Sequence, residues 1–174
     1  MLKPVTPINL RVLPACEREA ASPTPDWALP DKLEPPLQRI NAVPRVRLLE
    51  RLERASDLPL TLLLAPPGFG KTTLLAQWHQ RLRQAPARGH AAWLTLEEED
   101  GEPARFLAYV AMALIVAGVP AGAFPAALLE QRHDFDVPTA VSTMLGVLGR
   151  VSRPVVLILD DYDRAAGPAL DALV

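Results

Sequence analysis

An α/β fold built on a parallel sheet is the class this sequence predicts, and three observations carry that expectation. Runs at residues 60–65, 91–96 and 155–159 are short and almost wholly apolar, as strands buried on both faces require. They alternate with segments of helical periodicity, an order that implies parallel pairing through right-handed crossovers. The first run ends in Pro66-Pro67-Gly68, a turn that opens directly into a helical pattern.

Along the chain, residues 1–38 are rich in proline, with Pro4, Pro7, Pro14, Pro23, Pro25, Pro30, Pro35 and Pro36 removing backbone donors. They read as a disordered leader, with the globular part expected over 39–174. Between 45 and 55, Val46, Leu48, Leu49 and Leu52 recur at helical spacing among arginines and glutamates, predicting an amphipathic helix packed on the sheet. A helix beginning near Gly70 turns Leu74, Leu75, Trp78 and Leu82 inward before Pro86 and Gly89 break it. After the second strand come polar residues and an apolar helix over 103–117. A further helix over 138–150 leads into the third strand.

With 174 residues, 49% hydrophobic and 22% charged, the chain has material for one ordinary core. Its 18 basic and 20 acidic side chains nearly balance, so no electrostatic footprint for wrapping nucleic acid is expected. The lone Cys16 has no partner for an internal disulfide and fits a reducing compartment. Leu13-Pro14-Ala15-Cys16 has the outline of a lipoprotein cleavage site, but Pro4, Pro7, Asn9 and Arg11 interrupt the apolar stretch a signal peptide needs. The run over 106–118 is shorter than the roughly 20 residues that cross a bilayer. A soluble, cytoplasmic protein without membrane attachment is the expectation.

The chemistry concentrates at two strand ends. Ala65-Pro66-Pro67-Gly68-Phe69-Gly70-Lys71-Thr72, followed by Thr73, lies between a strand and a helix and ends as a Walker A phosphate loop does. Pro67, Gly68, Phe69, Gly70, Lys71, Thr72 and Thr73 are the candidate nucleotide-binding residues. The glycines let several N–H groups converge on phosphate at the positive end of the helix. Lys71 would reach the β- and γ-phosphates and take part in catalysis, and the Thr72 hydroxyl would ligate magnesium. Alanine at position 65 replaces the usual first glycine, which is harmless where φ is negative. The third strand ends in Asp160-Asp161. Asp160 would hold magnesium as a Walker B acid, and Asp161 would orient or deprotonate an attacking water.

Other features read as structural. Glu97-Glu98-Glu99-Asp100 is a charge run expected to be a solvated loop; His79, His90 and His133 lack metal-ligand spacing; Trp78 and Trp93 belong to apolar periodic segments. Arg45 and Arg47 are open between exposed helix charges and contacts to phosphate or base. No Asn-Lys-x-Asp motif points to guanine.

A longer series is recognisable in order: Lys32-Leu33-Glu34-Pro35-Pro36, Val43-Pro44-Arg45, Arg47-Leu48-Leu49-Glu50-Arg51-Leu52, the Walker A segment running into Leu74-Leu75-Ala76-Gln77-Trp78, Ala92-Trp93-Leu94-Thr95-Leu96, Pro103 to Tyr109, and Leu159-Asp160-Asp161-Tyr162. It resembles the N-terminal ATPase domain of MalT-like, LuxR-family transcriptional regulators, which are signalling P-loop NTPases of the STAND class. The resemblance implies ATP with Mg2+ as cofactors and a nucleotide that acts as a switch, with slow hydrolysis or none in this stretch. It also implies a small inducer, self-association and DNA binding as partners of other domains. In that branch a later strand lies between the two motif-bearing strands. The sheet is therefore expected to be incomplete, with exposed apolar edges, and the chain to be a fragment of a longer regulator. Two alternatives stay open: a free-standing small P-loop ATPase or kinase, and a degenerate interaction module that no longer binds nucleotide.

Overall fold

The computed structural model describes residues 27–37, 43–85, 89–130 and 136–173. Residues 1–26 and 38–42, most of the expected leader and the start of the expected globular part, lie outside the described residues, as does His133.

Two parallel strands, β1 (His90–Thr95) and β2 (Val155–Asp160), form the centre, in a register that sets Thr95 opposite Asp160. Alternation sorts their side chains between two layers. Ala92 and Leu94 of β1 and Val155, Leu157 and Leu159 of β2 face one apolar cluster, while Trp93, Val156 and Ile158 face another. The second cluster is closed by α1 (Val46–Ala55) through Leu49 and Leu52, and by α2 (Lys71–Gln84) through Leu74, Ala76 and Trp78. The first is filled by α3 (Pro103–Val116), which is buried almost all round, as its near-continuous apolar sequence demands. The short α4 (Ala126–Leu129) and then α5 (Val137–Leu148) complete that layer. Proline in the first turn and an acidic N-cap start both long helices here: Glu102 accepts from Ala104 N and Arg105 N, and Asp136 from Thr139 N. After β2 come two single-turn helices, α6 (Tyr162–Ala165) and α7 (Pro168–Asp171).

One expected strand does not form. Residues 60–65 carry no ladder, and Leu60, Leu62 and Leu64 are 55%, 72% and 86% exposed. Leu63 alone of these leucines packs on the α1–α2 cluster. An apolar run becomes a buried strand only where a neighbouring edge accepts its backbone groups, and among the described residues β2 pairs with β1 alone.

Part of the expected leader is also ordered. Trp27 Nε1 donates to the Leu129 carbonyl at 3.0 Å, its ring meets Tyr109 edge-on, and Ala28, Lys32 and Leu33 are buried. Proline content rules out an α-helix over this stretch but not a single 3-10 turn, here Pro30–Lys32, anchored by side chains.

The charge run after β1 departs from a solvated loop as well. Glu98 and Glu99 are exposed, but Asp100 is wholly buried. It accepts Lys32 Nζ at 2.6 Å, Arg105 Nε at 2.9 Å and the Glu97 N–H at 2.9 Å, and Glu97 bonds Lys32 in turn at 2.8 Å. Burial by itself would raise the Asp100 pKa, but these donors together hold it below the usual carboxylate value. The same pairing overrides desolvation at Lys32 and raises its pKa.

Candidate functional site

The phosphate loop and the acidic strand end meet beside the C-terminal edge of the sheet, where ligands of open α/β sheets bind. Gly68 and Gly70 take positive φ of 81° and 75°, a conformation that a Cβ would strain. Gly70 is the N-cap of α2 and gives it no side-chain cap, so the first-turn N–H groups of that helix are left for another acceptor. The first turn, Lys71-Thr72-Thr73, carries no carboxylate to cancel the positive helix end. Ala65 is not among the positive-φ residues, so the departure from glycine at the first loop position is accommodated. Lys71 Nζ donates to the Ala65 carbonyl at 2.9 Å, folding the lysine back across the loop. Phe69 is 61% exposed, and Pro67, Gly68 and Thr73 are exposed with it.

Thr72 Oγ1 donates to Asp160 Oδ1 at 3.1 Å, joining the start of α2 to the end of β2. Asp160 is only 4% exposed, and among the described residues its carboxylate accepts from the Thr72 hydroxyl and the Asp161 N–H, with the Lys71 charge nearby but bonded to the Ala65 carbonyl. Burial raises its pKa and the neighbouring Asp161 charge adds to the rise, while the Thr72 bond, the Asp161 N–H and the Lys71 charge oppose it without cancelling it. Asp161 itself is the one non-glycine residue with positive φ among the described residues, 54°, at the N-cap of α6. Aspartate tolerates this left-handed conformation better than most side chains, and such residues cluster at functional sites.

Motif spacing does not separate the two arginines ahead of α1, and the structure does. Arg45 Nη1 donates to the Phe69 carbonyl at 2.8 Å, whereas Arg47 is exposed on α1 with no such bond among the described residues. His79 is buried, with Nε2 at 3.3 Å from the Ala91 carbonyl and its ring edge-on to Trp93; burial lowers its pKa and makes it a core residue. His90 Nδ1 pairs with the Ala117 carbonyl at 2.8 Å. Trp78 and Trp93 are core, as their periodicity predicts. No group of three or more histidine, cysteine or acidic side chains among the described residues is arranged to hold a metal by itself. An open groove of about 540 Å³ runs along α5, lined by Thr139, Ser142, Thr143 and Arg150, but Ser142 and Thr143 already donate to their own helix. It contains none of the loop residues.

A family model described as an AAA ATPase domain matches residues 44–174, a span that takes in the phosphate loop, α2 and the Asp160-Asp161 strand end. The chain belongs to the AAA ATPase domain family. Membership makes it a nucleotide-binding module of a class that works with a divalent metal, with the parallel sheet and flanking helices expected of that class. This AAA domain is MalT-like. It is 35% identical over 135 residues to the HTH-type transcriptional regulator MalT of Serratia proteamaculans, a match covering 77% of this chain and 14% of the relative. The corresponding regulator of Cronobacter sakazakii is 31% identical over 142 residues, and that of Yersinia pestis 33% over 143 residues. Each of those two matches covers 82% of this chain and 15% of the relative, so the chain spans a small part of the length of these regulators. No helix among the described residues is long and apolar enough to cross a membrane.

Proposed function

We propose that this chain is the ATP- and magnesium-binding module of a cytoplasmic MalT-like transcriptional regulator, in which the bound nucleotide acts as a switch and hydrolysis is slow. The observation that carries this reading is the 3.1 Å Thr72–Asp160 contact. It sets a hydroxyl and a buried carboxylate side by side at the start of α2, which supports a metal site next to bound phosphates. Two hard oxygen donors suit Mg2+, which keeps most of its waters and takes the rest of its shell from phosphate oxygens. Bound there, the metal would neutralise charge on the β- and γ-phosphates.

The chain's own residues divide the remaining work. The backbone from Pro67 to Thr73 cradles the phosphates, Lys71 leaves the Ala65 carbonyl for the β- and γ-oxygens, and Asp161 orients the attacking water. Inducer binding, self-association and DNA binding belong to other parts of such a regulator. A second reading, an interaction module that has stopped binding nucleotide, rests on one observation: the exposed, unpaired leucines of residues 60–65.

Calorimetric titration of the chain with ATP, with and without Mg2+, separates the two. Magnesium-dependent binding that Lys71→Ala weakens by about 100-fold or more, roughly 2.7 kcal/mol, is the expected result. Binding that survives Lys71→Ala, or no binding at all, would overturn the proposal.

A further inference from the structure

Arg45 is a poor choice for the place it occupies in its own helix. It is the N-cap of α1, with φ −92° and ψ 68°, and its side chain makes no capping hydrogen bond there. Ser, Thr, Asp or Asn is the residue type that caps a helix start with its own side chain. The side chain of Arg45 instead crosses to the phosphate loop, where Nη1 donates to the Phe69 carbonyl at 2.8 Å. Nη2 of the same guanidinium lies 3.3 Å from the point that a Cβ on Gly70 would occupy, so the planar group covers the Phe69–Gly70 peptide. Gln77 Nε2 reaches the Val43 carbonyl at 3.5 Å and helps lay the approach to α1 along α2.

A trans peptide points its C=O and its N–H in opposite directions. Fixing the Phe69 carbonyl on Arg45 therefore fixes the Gly70 N–H facing away from Arg45. We infer that Arg45 is a positioning residue of the phosphate loop, which holds the Phe69–Gly70 peptide so that the Gly70 N–H is set for phosphate before any phosphate arrives. This rests on the reading that the loop binds phosphate, and it adds a consequence: a movement of α1 releases that N–H and weakens nucleotide binding. The guanidinium acts through the peptide and not as a charge on the nucleotide.

The test uses the whole chain, with Arg45→Ala and Arg45→Lys beside the parent. Arg45 is exposed, so both variants should fold normally. Backbone 15N relaxation needs no nucleotide: the order parameter of Gly70 should fall in both variants from about 0.85 to below about 0.6, with β1 and α3 unchanged. An unchanged Gly70 would sink the inference whatever the chain binds. Titration with magnesium-ATP and magnesium-ADP should then show both affinities falling by the same factor, about 10-fold, in both variants. Loss of ATP affinity much larger than loss of ADP affinity, restored by lysine, would make Arg45 a charge on the terminal phosphate and overturn the positioning role. Absence of any nucleotide binding by the parent would sink the phosphate-loop reading separately, while the relaxation data still decide whether Arg45 restrains the loop.

Discussion

Asp100 and Asp160 lie at nearly the same depth, 0% and 4% exposed, yet their surroundings treat them in opposite ways. Asp100 meets two cations and a backbone N–H, and its pKa falls despite burial. Asp160 meets a hydroxyl and a backbone N–H, and its pKa rises. A buried carboxylate whose charge is met from within the chain is a fastener, here tying the segment around Lys32 to the turn between β1 and α3. One that no cation bonds directly, with Lys71 turned to the Ala65 carbonyl, has capacity for an external cation. Burial and residue type do not distinguish a structural acid from a candidate metal ligand; the donors around it do.

The largest expected effect lies on the fastener. Lys32→Met leaves Asp100 buried with half its cationic partners, and thermal unfolding should show a loss of about 3 kcal/mol, roughly 6–12 °C in Tm. A change of less than about 2 °C would place Asp100 and Asp160 in one category and break the contrast. Next comes the metal side. Asp160→Asn should weaken magnesium-dependent ATP binding by about 10- to 100-fold, since Thr72 alone remains as a ligand, and leave titrations without the metal unaltered, since the carboxylate acts through the ion.

Smaller effects sharpen the comparison through pH. A folded-state pKa below the ordinary 3.8 means that the stabilisation from Asp100 is whole above that value and drains away as pH falls through the lower one. For Asp160 the folded value is raised above 3.8, so the ionised folded state is disfavoured at neutral pH and the penalty disappears as pH falls through the raised value and below 3.8. Asp160→Asn should therefore raise Tm at pH 7 by about 2–4 °C, near 1 kcal/mol, and give no gain at pH 3. Asp100→Asn should lower Tm most at neutral pH, with the deficit shrinking below 3.8. Unfolding curves at the two pH values check both signs. The smallest effect is conformational: at the left-handed position 161, alanine should cost about 1 kcal/mol more than asparagine in denaturant unfolding. Asn is thus the cleaner variant for removing the Asp161 carboxylate.

Much of the architecture was legible locally. The helix starts at Pro103 and at Asp136 followed by Pro138 are stop-and-start signals within a few residues, and the parallel order of β1 and β2 follows from the alternation of periods. The positive-φ glycines and the meeting of Thr72 with Asp160 were readable because a glycine-rich loop between strand and helix and an acid at a strand end have fixed positions in an α/β sheet. The fate of residues 60–65 was not readable from their own apolar run, which announces burial without naming the edge that must satisfy its backbone; only the family resemblance implied an incomplete sheet with exposed apolar surface. Nor was the role of Arg45, whose partner carbonyl lies 24 residues away.

The sequence by itself determined the order of α1, α2, β1, α3, α5 and β2, the burial of both strands on two faces, and which residue types stand at the glycine-rich loop and the acidic strand end. Only the tertiary structure decided that two cations bond Asp100 and a hydroxyl bonds Asp160, that Trp27 and Lys32 belong to the packed body, and that Arg45 reaches the loop. Periodicity and motif spacing are properties of neighbours along the chain, whereas hydrogen-bond saturation depends on donors brought from 68 residues away at Lys32 or 88 at Thr72, and those are set by packing alone.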